Sequence, residues 1–167
     1  MIADPAARGR ALAAFFFAVE PALWGDLEES GRLPGSATPT ARREWECFAL
    51  YACVRGLVAA GGFNTETAAA VDHLHDAVVA RWAVEADEPE PLAARRERVA
   101  DRYAEYGRIG QELESRGAHL VTARLGEAAA AHLCAPLGPP EGLAAMVGEL
   151  HEALAEGAAE AVRRGDG

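Results

Sequence analysis

CFALYACVRGLVAA, from Cys47 to Ala60, decides the fold. At helical spacing its side chains are apolar almost all the way round, the pattern of a helix surrounded by others rather than lying at a surface. A single charge, Arg55, interrupts it. No window of about 18 apolar residues in the chain is free of charge, so no membrane-spanning helix is expected. Just upstream, Thr38-Pro39 or Thr40 offers a capping hydroxyl beside a proline suited to a first turn. Gly61-Gly62 stops the helix after Ala60. A buried helix from Ala41 to Ala60 needs neighbours, and the rest of the chain supplies them.

On the N-terminal side, Leu12, Phe15, Phe16, Val19, Leu23 and Leu27 form one helical stripe, within which Pro21 predicts a break or kink. Gly31 to Pro39 reads as a loop. On the C-terminal side, Asn64 or Thr65 caps a third helix carrying Val71, Leu74, His75, Val78 and Trp82 on one face. Glu85 to Pro91 is acidic and proline-bearing, a connection. A fourth helix spans about Leu92 to Arg116, with Val99, Tyr103, Tyr106, Gly110 and Leu113 recurring at three and four residues as a packing seam. Gly110 and Gly117 on that seam predict a close helix approach, at about 1 kcal/mol of helix propensity each. Gly117 either ends this helix or bends it, so residues 92–135 form two helices or one kinked helix. The last helix carries Leu143, Val147, Leu150, Leu154, Ala158 and Ala161 and closes on Arg163-Arg164-Gly165, favourable at a helix C-terminus. Six helices on short connections predict an all-α, single-domain, up-and-down helical bundle over residues 1–167.

Composition narrows the function classes. All 16 basic residues are Arg, which excludes a lysine phosphate loop, a Schiff-base lysine and a lysine base. The net charge of −10 repels a phosphate backbone, so nucleic acid is not an expected partner. Cys47, Cys53 and Cys134 are odd in number, and the two on one helix point apart. They read as reduced, buried thiols in a cytoplasmic protein. Arg8 and Arg10 before the apolar run Ala11 to Val19 imitate a signal peptide. Glu20-Pro21 follows instead of a small-x-small cleavage site, which argues against one.

Catalytic motifs are missing: no G-x-S-x-G, H-E-x-x-H, C-x-x-C, EF-hand loop or G-x-G-x-x-G occurs. A di-iron bundle needs two Glu-x-x-His pairs, and the nearest pattern is a single Asp72-x-x-His75. Asp72-His73-Leu74-His75-Asp76 is the densest group of potential ligands. His73 and His75 point about 160° apart on a regular helix, however, and cannot share an ion. His75 falls on the apolar stripe and His73 toward solvent, so a buried His75 paired with a carbonyl or carboxylate is the plain reading. Arg55 cannot shed its charge and must meet a carboxylate, such as Asp72, Asp76 or Glu85, or a bound anion. The sharper reading sets Arg55, Asp72 and His75 around one pocket for a small anionic ligand, with Tyr103 and Tyr106 as lining or as core. Arg95-Arg96-Glu97-Arg98 reads as a solvated helix face.

The leading functional expectation is a non-enzymatic binding or protein-interaction module of accessory or regulatory kind. Its homodimer or partner-helix interface would be the Tyr seam or the C-terminal stripe, unless the chain's own core consumes both. The alternatives are a small-molecule- or metal-binding bundle, enzymatic or not, around Arg55, Asp72 and His75, and a helical maturation chaperone with a large apolar groove. No cofactor is identifiable from the sequence.

Overall fold

The computed structural model describes residues 4–35, 38–85 and 90–165. Six α-helices follow one another, with no strand among the described residues: α1 (Pro5–Glu29), α2 (Pro39–Gly61), α3 (Thr65–Glu85), α4 (Leu92–Leu113), α5 (Ala118–Cys134) and α6 (Leu143–Gly165). The loops expected at Gly31 to Pro39 and Glu85 to Pro91 lie partly outside the described residues.

Local chemistry sets the helix starts. Pro5 opens α1 behind Asp4, whose Oδ1 accepts from the Ala6 N–H at 3.1 Å. Thr38 Oγ1 accepts from the Ala41 N–H at 3.0 Å, with Pro39 in the first turn of α2. Asn64 works in both directions: its Oδ1 accepts from the Thr67 N–H and its Nδ2 donates to the Gly61 carbonyl, each at 2.8 Å. It thereby ties the end of α2 to the start of α3. Gly117 resolves the choice left open for residues 92–135. At φ +114° it takes a conformation that side chains resist, and a short 3₁₀ turn, Glu114–Arg116, leads α4 into it. There are two helices. Of the break or kink expected at Pro21, a break does not occur, since α1 runs through it to Glu29.

Pairwise contacts fix the directions. Glu20 of α1 meets Arg42 of α2, and Trp82 of α3 meets Arg95 of α4 while His75 meets Tyr103. Glu105 of α4 meets His132 of α5, and Gly126 of α5 lies against Ala144 of α6 while Thr122 reaches Glu152. In α3–α4 and α5–α6 one helix advances as the other retreats. Helix α1 runs parallel to α3, with Gly9 at His73 and Phe17 at Arg81. Helix α2 runs parallel to α4 (Glu44 at Arg102, Phe48 at Tyr106) and to α6 (Phe48 at His151, Gly56 at Ala155). Neighbours in sequence therefore alternate in direction, and the bundle is up-and-down. The most extensive packing nonetheless joins α2 to α6, α5 to α6 and α1 to α3. Helices α2 and α6 run parallel at the centre of one continuous core, which includes Trp45, Phe48, Leu57, Leu74, Tyr106, Leu125 and Leu154.

Two glycine contacts make that centre tight. A Cβ on Gly56 would lie 2.3 Å from the Ala155 carbonyl oxygen, and one on Gly126 would lie 2.3 Å from the Ala144 carbonyl oxygen. α6 is thus clasped at backbone distance by α2 and by α5. The close approach expected at Gly110 is absent, because a Cβ there would meet nothing within 4 Å. Val99, Tyr103, Tyr106 and Leu113 of the α4 seam do pack in or against the core, but Gly110 faces no neighbour.

Candidate functional site

The central packing assembles a column of rings across α3, α4, α2 and α6. His75 Nε2 and Tyr103 Oη are 2.8 Å apart, a hydrogen bond whose direction follows the imidazole tautomer. Tyr103 packs edge-on to Tyr51 at 5.3 Å between centroids, Tyr51 lies 5.4 Å from Tyr106 and 5.9 Å from His151, and Phe48 stacks on His151 at 4.3 Å. His75, Tyr103 and Tyr106, singled out from sequence, therefore do come together. Burial shapes their chemistry. It pushes the Tyr103 and Tyr106 hydroxyls up and the His75 imidazole down, with Asp72 and Asp76 pulling His75 partway back. At neutral pH the column holds neutral rings.

His151 is the member that the sequence search passed over. It is completely buried, and neither ring nitrogen has a partner at hydrogen-bond geometry; the Tyr106 hydroxyl is buried and unpaired as well. Burial, then the nearby Arg55 charge, holds His151 well below the usual imidazole range, against a smaller pull from the Phe48 backbone. Each stranded polar atom costs about 1–3 kcal/mol. A signal was available, because His151 lies four residues after Val147 on the apolar stripe of the last helix.

Arg55 and Asp72 stand apart from that expectation. Arg55 does not pair with Asp72 or Asp76: its Nη1 donates to Glu152 Oε1 of α6 at 2.8 Å. Thr122 Oγ1 of α5 donates to the same oxygen at 2.7 Å, so Glu152 ties three helices together. The side chain of Glu85 lies outside the described structure. Asp72 is exposed and reaches His75 through its charge. The pocket drawn around Arg55, Asp72 and His75 thus divides into a surface ion pair on α6 and a hydrogen bond between α3 and α4.

Other reactive groups are held quiet. All three cysteines are free and buried, and burial pushes Cys47 and Cys53 up to about 12, far from thiolate at neutral pH. No group of three or more His, Cys, Asp or Glu side chains is placed to hold a metal ion among the described residues.

The solvated face expected at Arg95-Arg96-Glu97-Arg98 of α4 holds for Arg96 and Glu97, which are exposed, and fails for Arg95 and Arg98, which turn toward the polar half of α2. Glu44 accepts from Arg102 Nε at 2.6 Å and from its Nη2 at 3.0 Å, and Glu20 is held by both Nη atoms of Arg42. Arg95 and Arg98 turn inward to Glu90, with Arg95 also 5.6 Å over the Trp82 ring. These are largely buried ion pairs between α1, α2 and α4, in which each guanidinium is fixed by a carboxylate or an aromatic face.

Between α4 and α5 a surface is left open. Among the described residues of α4, Tyr106 alone is buried. Beside it two adjoining hollows of about 300 and 350 Å³ run between α4 and α5. Ile109, Leu113 and Leu120 make their floor; Glu105, Arg108, Glu112, Arg116, Arg124 and Glu127 make their rim. The chain's own core takes up much of the two stripes expected as interfaces, burying Tyr106, Leu143, Val147, Leu154 and Ala158, while Leu113, Leu150 and Ala161 stay partly exposed. No helix among the described residues is long and apolar enough to cross a membrane. No family model, curated protein or solved structure is significantly similar to this chain.

Proposed function

We propose that this chain is a non-enzymatic interaction module whose partner is a second copy of itself, joined through the α4–α5 groove. The observation that carries the reading is the groove's charge pattern. Helices α4 and α5 are antiparallel, with Glu105 level with His132 and Ile109 level with the stretch from Arg124 to Ala128. A two-fold axis along the groove lays α4 of one copy over α5 of the other at the same height. Arg108 then faces the other copy's Glu127 and Glu112 faces its Arg124, while Ile109, Leu113 and Leu120 meet in the middle.

In the single chain these charges engage only in short-range pairs on their own helices, Arg108–Glu112 and Arg124–Glu127, all more than half exposed. Such pairs contribute little and are free to rearrange. The thiols at about 12 and the carboxylates committed to arginines add weight to a non-enzymatic role. Sedimentation equilibrium is the test. Wild type is expected to form a dimer that Leu120→Glu and Ile109→Glu weaken at least tenfold, with unchanged helical content. A wild-type monomer, or a dimer indifferent to both substitutions, overturns the reading.

A further inference from the structure

The chain has three tyrosines, and all of them stand in the ring column. They differ in one respect. Tyr103 Oη lies 2.8 Å from the imidazole Nε2 of His75. The Tyr106 hydroxyl is buried with no partner, and Tyr51 makes ring contacts but no side-chain hydrogen bond among the described residues. The difference bears on oxidation. Loss of one electron turns a neutral phenol into a strong acid, so the loss is favoured where a base within hydrogen-bond reach takes the proton.

We propose that Tyr103 is a redox-active tyrosine and that His75 is its proton acceptor. An outer-sphere one-electron oxidant takes an electron from the phenol, the O–H bond breaks, and the proton passes to His75 Nε2. The products are a neutral phenoxyl radical, an imidazolium and the reduced oxidant; return of one electron brings the proton back. Before the step the imidazole proton sits on Nδ1, so that the Tyr103 O–H donates to Nε2, the stronger donor facing the better acceptor. The surroundings suit both states. Burial keeps the imidazole neutral and the phenol protonated until an electron leaves. Asp72 and Asp76 then favour the imidazolium once it forms. At Tyr51 the charge felt is that of Arg55, which opposes a positive hole on that ring. Centroid separations of 5.3 Å from Tyr103 to Tyr51 and 5.4 Å from Tyr51 to Tyr106 let a hole that begins on either neighbour move on to Tyr103. The pair is separate from the α4–α5 groove and from any self-association there.

The experiment generates ruthenium(III) tris-bipyridine by a laser flash at neutral pH in solutions of wild type, Tyr103→Phe and His75→Phe. Transient absorption and freeze-quench electron paramagnetic resonance follow the phenoxyl radical. Wild type is expected to form a neutral phenoxyl radical, more slowly in deuterium oxide than in water. Each variant is expected to form it about tenfold less, Tyr103→Phe by losing the radical's seat and His75→Phe by losing the positioned base. A wild type without a phenoxyl radical, or an undiminished yield in either folded variant, overturns the proposal. Should the variants fail to fold, the trapped wild-type radical decides. An exchangeable proton hydrogen-bonded to the phenoxyl oxygen, with coupling to a labelled imidazole nitrogen, supports the pair, and its absence overturns it.

Discussion

The two halves of α2 bury themselves by opposite means. From Arg42 to Glu46 the helix presents, around the buried Trp45, ionic side chains that meet Glu20, Glu90, Arg98 and Arg102, while from Cys47 to Gly61 all but Arg55 are uncharged, and Gly56 lies directly on α6. The apolar half depends on shape, with backbone against backbone at Gly56, and has no slack. The ionic half depends on pairing, in which long arginines reach across a wider gap. Burying a charge is tolerated only while its partner is present, whereas close packing is intolerant of any added atom. One helix can thus be rigidly located at one end and adjustable at the other.

The contrast breaks most visibly at Gly56. In an exposed helix, Gly→Ala stabilises by about 1 kcal/mol. Here the added Cβ strikes the Ala155 carbonyl, and Gly56→Val is expected to lower stability by about 3 kcal/mol or to prevent folding, measured by urea denaturation. The same change at Gly110, where a Cβ meets open space, is expected to be neutral or to stabilise by a few tenths of a kcal/mol, roughly the helix-propensity gain of valine over glycine.

The ionic half is expected to show coupling in place of steric intolerance. Glu44→Met removes both hydrogen bonds of Arg102, leaving it Glu105 at 3.8 Å, and is expected to cost about 2–3 kcal/mol, of which adding Arg102→Met is expected to restore much. Additive losses in that double-mutant cycle would remove the distinction between the halves.

A smaller effect sharpens the apolar side. His151 is held below its unfolded value near 6.5, so the unfolded chain takes up a proton that the folded chain refuses. Stability is therefore expected to fall as pH drops below about 6.5, by up to about 1.4 kcal/mol per pH unit, and His75, shifted the same way, adds to it. His151→Phe keeps a ring against Phe48 and removes two unpaired nitrogens. It is expected to hold or raise stability at pH 7 by about 1 kcal/mol and to flatten the acid slope, as read from denaturation midpoints between pH 5 and 8.

Legibility in the sequence followed range. Thr38 and Asn64 act within three residues, so the sequence narrows each cap to one of two neighbouring candidates, while for Gly117 it leaves open an end or a bend that only the backbone at φ +114° decides. The all-round apolar run from Cys47 to Ala60 announced a central helix without saying which helix lies on it. Gly56 and Gly110 look alike in sequence, and only the parallel packing of α6 separates them. Arg55 clearly needed an anion, but that anion is 97 positions away in α6 and no local pattern points to it. Arg95 and Arg98 lie in a mixed-charge run indistinguishable from a solvated face until Glu90 and Trp82 close over them. His151 has no metal-ligand spacing to mark it, and its place four residues after Val147 on an apolar stripe is the feature that signals a buried imidazole.

The most direct test of the interaction reading is a charge exchange across the α4–α5 groove, followed by sedimentation equilibrium. Glu112→Arg and Arg124→Glu each place like charges face to face in the dimer. Both residues are mostly exposed, so each change is expected to leave chain stability within about 0.5 kcal/mol. Each single variant is expected to be monomeric at concentrations where wild type is dimeric, and the double variant, with the pair reversed, to dimerise again. Single variants that dimerise like wild type, or a double variant that stays monomeric while folded, would contradict the groove as the interface.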